Sequence, residues 1–189
     1  MAFDLMREKE ADFVLDPEHV RESLGADGLV RDDGHLLIQA YEGLGPLVSG
    51  PRCRLDVLCS VDGLTRSSIW LVAEYGAPTG ALLIVPLSAT GAIAAANDTF
   101  NALDPAIAHI CRPGEPIRAF YGWLFAGVTD TARRRVLKGA KKVCEGEFGF
   151  VPVYARAASP KGAATLTKLG FEVLENSNDQ YVKHPGNVS

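Results

Sequence analysis

Ile117-Arg118-Ala119-Phe120-Tyr121-Gly122-Trp123-Leu124-Phe125-Ala126-Gly127-Val128 is apolar at both alternating positions once Arg118 is passed. That is the pattern of a strand covered on both faces, not of an edge strand wetted on one. A central strand is therefore expected over residues 117–128, with Gly122 or Gly127 able to host a bulge. Downstream, Thr129-Asp130-Thr131 offers a helix cap. Ala132, Val136, Ala140 and Val143 then recur at helical spacing, with Arg134, Lys138, Lys141 and Lys142 around the rest of the helix. Gly146 and Gly149 end it. Residues 151–158 read as another strand, Ser159-Pro160 opens a second helix and Gly170 stops it. Phe171-Glu172-Val173-Leu174 begins a last strand that either pairs with Gln180-Tyr181-Val182-Lys183 or continues past a bulge.

The first half is less regular. Asp16-Pro17-Glu18 reads as a helix start, with a carboxylate cap, proline in the first turn and an acid behind it, and Gly25 closes that helix. Residues 36–41 suit a strand or a helical turn, and residues 42–52, broken by glycine and proline, read as mostly loop. Residues 55–61, followed by Asp62-Gly63, read as a strand. Residues 69–75 and 81–87 read as strands too, and 70–87 as an antiparallel hairpin. The alanine-rich residues 93–110 read as helix interrupted by Asp104-Pro105.

At 189 residues, 47% hydrophobic and 22% charged, the chain has the size and composition of one globular α/β domain spanning residues 1–189. No apolar run approaches the ~18 residues of a membrane span, and charges interrupt the N-terminal stretch, so a cytoplasmic protein without membrane insertion is expected. Cys53, Cys59, Cys111 and Cys144 include no C-x-x-C pair, and His19, His35, His109 and His184 lie far apart, so no metal site is read. A formal charge of −4 gives no global positive field for nucleic acid.

The order strand, helix, strand, short helix and Lys168-Leu169-Gly170-Phe171-Glu172 resembles the C-terminal half of the GNAT superfamily of acyl-CoA N-acyltransferases, over residues 117–182. The resemblance implies a mixed sheet of about six or seven strands flanked by helices. It also implies acetyl-CoA or another acyl-CoA as co-substrate, with its pyrophosphate at the turn between the central strand and the following helix. Ala126, Gly127, Val128, Thr129, Arg133, Arg134 and Arg135 are the residues that would bind it. Free amides at the helix start, together with the positive end of the helix dipole, suit an anion.

Several positions depart from the family pattern. The best register of the phosphate signature begins at Arg133 and places Val136 and Lys138 where glycines belong, so side chains stand where a backbone should approach a diphosphate. Leu166 occupies the place of the frequent tyrosine acid, and residues 117–128 contain no carboxylate to act as base. Tyr121, Tyr154, Cys144 and His109 are the remaining candidates for proton transfer, and each also has an ordinary structural reading. No catalytic residue is assigned. Lys141 and Lys142 suit a helix C-terminus without any ligand, and no aromatic residue interleaves the basic run as single-stranded nucleic acid would require.

Two functions follow from the resemblance. One is transfer of an acyl group, acetyl in the simplest case, from CoA to a small-molecule or peptide amine by direct attack. The other is a noncatalytic binding or assembly module on the same fold. A homo-oligomer is compatible with either, and an unrelated α/β protein with the same strand-helix order is the third reading.

Overall fold

The computed structural model describes residues 13–32, 34–47, 51–175 and 177–185. The protein is an α/β protein, and its described residues form six α-helices around a six-stranded mixed sheet. The strands are β1 (Ile69–Glu74), β2 (Ala77–Leu87), β3 (Ala119–Gly127), β4 (Val153–Arg156), β5 (Glu172–Val173) and β6 (Gln180–Lys183), and they lie in the order β1-β2-β3-β4-β6-β5. All neighbours are antiparallel except β3 and β4, which are parallel and joined by a helical crossover. The expected central strand is thus third of six, with β4 beside it, and residues 171–174 pair with β6.

Alternation along the strands divides the core into two faces. Trp70, Val72, Leu82, Ile84 and Phe120 point to one face, where α1 (Pro17–Gly25), α5 (Asp130–Glu145) and α6 (Pro160–Lys168) cover them. Ile69, Leu71, Leu83, Val85 and Tyr121 point to the other, under α2 (His35–Leu44), α3 (Leu55–Thr65) and α4 (Ala89–Ala96). Large side chains such as Trp70, Leu82 and Ile84 are almost wholly buried, and each such burial is worth about 1.5–3 kcal/mol.

The helix starts follow the residues expected of them. Asp16 caps α1 by accepting from the Glu18 and His19 amides, Thr129 caps α5 and Ser159 caps α6, with Pro17 and Pro160 in the first turns. Three expectations are corrected. Residues 55–61 belong to a helix, because Leu58 and Val61 fall one turn apart on its buried side while Asp62 caps the next strand from within. The Asp62 carboxylate, 5% exposed, accepts the Ser68 amide at 2.9 Å and the Ile69 amide at 3.0 Å and pairs with Arg31. The alanine-rich helix starts earlier than expected and ends at Ala96, and only a single 3₁₀ turn, Ile107–His109, follows it. Residues 36–41 resolve as helix, and α2 runs into the stretch read as loop. Among the described residues no helix is long and apolar enough to cross a membrane.

Two glycines in helices give opposite expectations for the same substitution. A Cβ on Gly91 would lie 2.1 Å from the His109 carbonyl oxygen, whereas one on Gly63 meets nothing within 4 Å. Gly91→Ala is expected to lower unfolding free energy by about 1–3 kcal/mol through overpacking. Gly63→Ala is expected to raise it by about 0.5–1 kcal/mol through reduced unfolded-state entropy. Urea denaturation of the two variants beside the parent protein checks both signs.

Candidate functional site

The parallel pairing of β3 with β4 covers only Phe120↔Val153, Tyr121↔Tyr154 and Gly122↔Ala155. Beyond Gly122 the two strands part. On its other side β3 stays paired with β2 as far as Gly127, through a bulge that leaves Trp123 as the extra residue between Gly122↔Ile84 and Leu124↔Leu83. The bulge turns Tyr121, Trp123 and Leu124 all toward the α2/α3 face and returns Phe125 to the α5 face. The Phe125 ring folds back over Gly122, where a Cβ would lie 2.7 Å from it. Glycine leaves room for that close approach. β4 leaves the sheet at Arg156, whose guanidinium bonds Asp179 Oδ1 at 2.6 Å and Asp98 Oδ1 at 2.5 Å.

The parting strands border a cavity of about 630 Å³ on the α2/α3 face. Its walls are mainly apolar: Leu37 and Leu44 from α2, Leu58 from α3, and Leu71, Leu83 and Leu124 from the sheet. Three aromatic residues bring polar atoms to it. The Trp123 indole donates to the Ala102 carbonyl at 2.6 Å and the Tyr41 hydroxyl to the Cys53 carbonyl at 3.2 Å. The Tyr121 hydroxyl is different. Its residue is only 2% exposed, the O–H has no acceptor among the described residues, and the Arg156 guanidinium lies against the oxygen as a donor. Burial pushes its pKa up, against the opposing pull of Arg156. Arg52, Asn101, Arg156 and Asp179 also line the wall, and at the Arg156 end one guanidinium faces two carboxylates, Asp179 and Asp98.

The residues expected to hold a diphosphate gather elsewhere, and none of them lines this cavity. Ala126 and Gly127 pair with Ala81 and Gly80 of β2, and the Val128 amide donates to the Thr79 carbonyl at 2.8 Å. A Cβ on Gly127 would fall 2.8 Å from the Arg133 amide nitrogen, so glycine lets the helix turn back against its own strand. The amides of Thr129, Asp130 and Thr131 have no acceptor among the described residues. Acids surround them, however. Asp130 opens the helix, and Glu74 accepts the Thr129 hydroxyl at 2.6 Å. Hydrogen bonds from Thr129 and then Thr79 hold the Glu74 carboxyl below its ordinary range. Arg133 folds back to donate to the Gly127 carbonyl at 3.0 Å and to pair with Asp130 at 2.8 Å. Arg135 packs over Gly28, and Arg134 is exposed. The structure brings Gly127, Val128, Thr129 and Arg133 to one turn but commits Arg133 to that turn's own carbonyls.

The other candidates lie off the cavity. His109 sits against Phe100 and α4, Tyr154 is in the core beneath α4, and Cys144 is buried on α5. Lys142 pairs with Asp27 at 2.9 Å and donates to the Ser23 carbonyl, tying α5 to the end of α1. Cys53 does line the cavity, where burial first, then Asp104 and Asp56, push its thiol up to about 11. Sequence reading named Tyr121 but missed Arg156 and Asp179. The signal for Arg156 was there, a lone cation closing an otherwise apolar strand, whereas Asp179 belongs to a loop with no pattern of its own. Comparison with protein-family models, curated proteins and solved structures returns no match.

Burial pushes the Cys111 and Cys144 thiols up to about 12 from the ordinary 9.0. Because the folded values are raised, the unfolded chain loses these protons first. The associated stability is complete below pH 9.0 and is lost as pH rises toward about 12. Melting temperature should therefore fall on the alkaline side of that lower value. Iodoacetamide at about pH 8 should modify the exposed Cys59 and spare Cys111 and Cys144 until the protein unfolds, as burial requires. Peptide mass mapping of the labelled sites checks this.

Proposed function

We propose that the chain is a GNAT-like acyltransferase, which holds the thioester arm of an acyl-CoA where β3 and β4 part and passes the acyl group to an amine. The observation that carries this reading is the end of parallel pairing at Gly122 beside a roomy apolar cavity. From Trp123 onward the edge of β3 facing β4 has no strand partner among the described residues, which leaves its backbone groups to the amides of a pantetheine arm, as an exposed strand edge is to an added strand. The sheet order and the single parallel pair also agree with the architecture that the resemblance implies.

The nucleotide end is held less well. Glu74 and Asp130 place negative charge at the helix start, and Arg133 is spent on local carbonyls. The helix dipole and the three free amides favour a diphosphate, while the two carboxylates oppose it. CoA is therefore expected to bind weakly at the nucleotide end, most of its affinity coming from the arm and acyl group.

One observation favours the noncatalytic module. Among the described groups lining the cavity, Asp179 is paired with Arg156, and the Tyr121 and Cys53 protons are held by burial, so none is a ready general base. Under the transferase reading the amine arrives deprotonated or loses its proton to water.

Calorimetry with CoA, followed by thiol-release assays across a panel of amines, tests the proposal. Glu74→Gln keeps an acceptor for Thr129 while removing charge beside the helix start, and is expected to tighten CoA binding about two- to five-fold, the range of an exposed charge pair. Added salt should narrow the difference between the two proteins. No binding of CoA at millimolar concentration would overturn the acyl-CoA reading. Binding without thiol release for any amine would transfer the conclusion to the noncatalytic module.

A further inference from the structure

We infer that the cavity is an acyl-chain pocket for a medium-length chain, larger than acetyl, in which the Tyr121 hydroxyl donates a hydrogen bond to the carbonyl oxygen of a neutral thioester. The thioester part rests on the acyltransferase reading, whereas the preference for a long apolar chain stands on the cavity alone.

Size comes first. At about 30 Å³ per water-sized atom, 630 Å³ has room for about twenty heavy atoms, several times the three of an acetyl group. The walls suit an aliphatic chain, since leucines from α2, α3, β1, β2 and β3 all face the space. An acetyl group would leave most of that surface against water, a poor use of an apolar enclosure.

Polarity then fixes one end of the ligand. The Tyr121 hydroxyl stands one residue before the point where the strands part, buried, with Arg156 beside its oxygen but no acceptor for its O–H among the described residues, while the neighbouring Trp123 and Tyr41 groups are satisfied by backbone carbonyls. A buried O–H without an acceptor is costly, and a ligand carbonyl placed there removes the cost. The charges nearby limit what that acceptor is. Arg52 lines the wall beside Tyr41 and Gly45, but at the Tyr121 end a carboxylate would meet Asp98 and Asp179, and an ammonium head would meet the Arg156 guanidinium beside the hydroxyl. A neutral carbonyl meets neither penalty. Its position beside Gly122 is where a thioester carried along the free edge of β3 would end.

The test uses small neutral probes that carry no nucleotide, so the acidic helix start plays no part. S-decanoyl-N-acetylcysteamine, S-acetyl-N-acetylcysteamine and the thioether S-decyl-N-acetylcysteamine are titrated into the full chain, with binding read by calorimetry and by the fluorescence of Trp123. Each buried methylene favours the longer chain about four-fold, so the decanoyl probe is expected to bind at least about a hundred-fold tighter than the acetyl probe even if only part of the chain is enclosed. Tyr121→Phe should weaken the decanoyl thioester about three- to ten-fold and leave the thioether unchanged, since only the former has a carbonyl to lose. Ala40→Leu, which fills part of the pocket from α2, should weaken both decyl probes. If that variant fails to fold, the Tyr121→Phe comparison still decides. Equal binding of acetyl and decanoyl thioesters, equal loss of thioester and thioether in Tyr121→Phe, or decylamine binding more tightly than the decanoyl thioester would overturn the inference. Decanoyl binding with no affinity for CoA would instead uphold the chain pocket and reject the acyl-CoA reading.

Discussion

Pairing between β3 and β4 stops at Gly122, and the cavity, its polar end and the free strand edge all depend on that stop. Three features enforce it. The bulge at Trp123 shifts β3 out of step while β2 keeps it in the sheet, the Phe125 ring occupies the space over Gly122 next to Ala155, and the double ion pair at Arg156 draws the end of β4 toward Asp98 and Asp179. A strand held firmly by one neighbour and released by the other keeps its shape while presenting an open edge, which a two-stranded ribbon could not do alone.

The two ends of β3 then differ in character. Near Gly122 a mainly apolar, half-open cavity meets the Tyr121 hydroxyl and the Arg156 ion pairs; near Gly127 the turn is exposed, with carboxylates beside a helix start that would otherwise attract anions. Hydrophobic burial is available at the first end, whereas charge contacts at an exposed turn are screened and contribute little. Under the proposed acyl-CoA reading, affinity and selectivity would therefore lie with the acyl chain and not with the nucleotide.

Legibility in the sequence varied with the kind of signal. Thr129, Ser159 and Asp16 announced helix starts because their side chains bond amides only two or three residues away, and those interactions are local. Residues 55–61 misled, since a short apolar run bounded by Asp62-Gly63 fits a strand as well as a helix, and the deciding fact is the reach of Asp62 to the Ser68 and Ile69 amides across a turn. Residues 93–110 misled for a related reason: alanine favours helix, but the Ala94 and Ala95 carbonyls are taken by Thr99 and Gln180, and the chain turns away.

By itself the sequence determined the α/β class, the central position of residues 117–128 and the helix that follows, because apolar periodicity and capping act over a few residues and are written in order along the chain. It also determined that the glycines of a phosphate-binding turn are missing, which is a matter of residue identity alone. Only the tertiary structure decided that the Tyr121 hydroxyl is buried beside Arg156, that Arg156 meets both Asp98 and Asp179, and that leucines from five separate elements line one space. Those facts depend on distances between segments 20 to more than 50 residues apart, and no local pattern encodes such distances; they arise when the bulge at Trp123 parts β3 from β4 and the helices close over the gap.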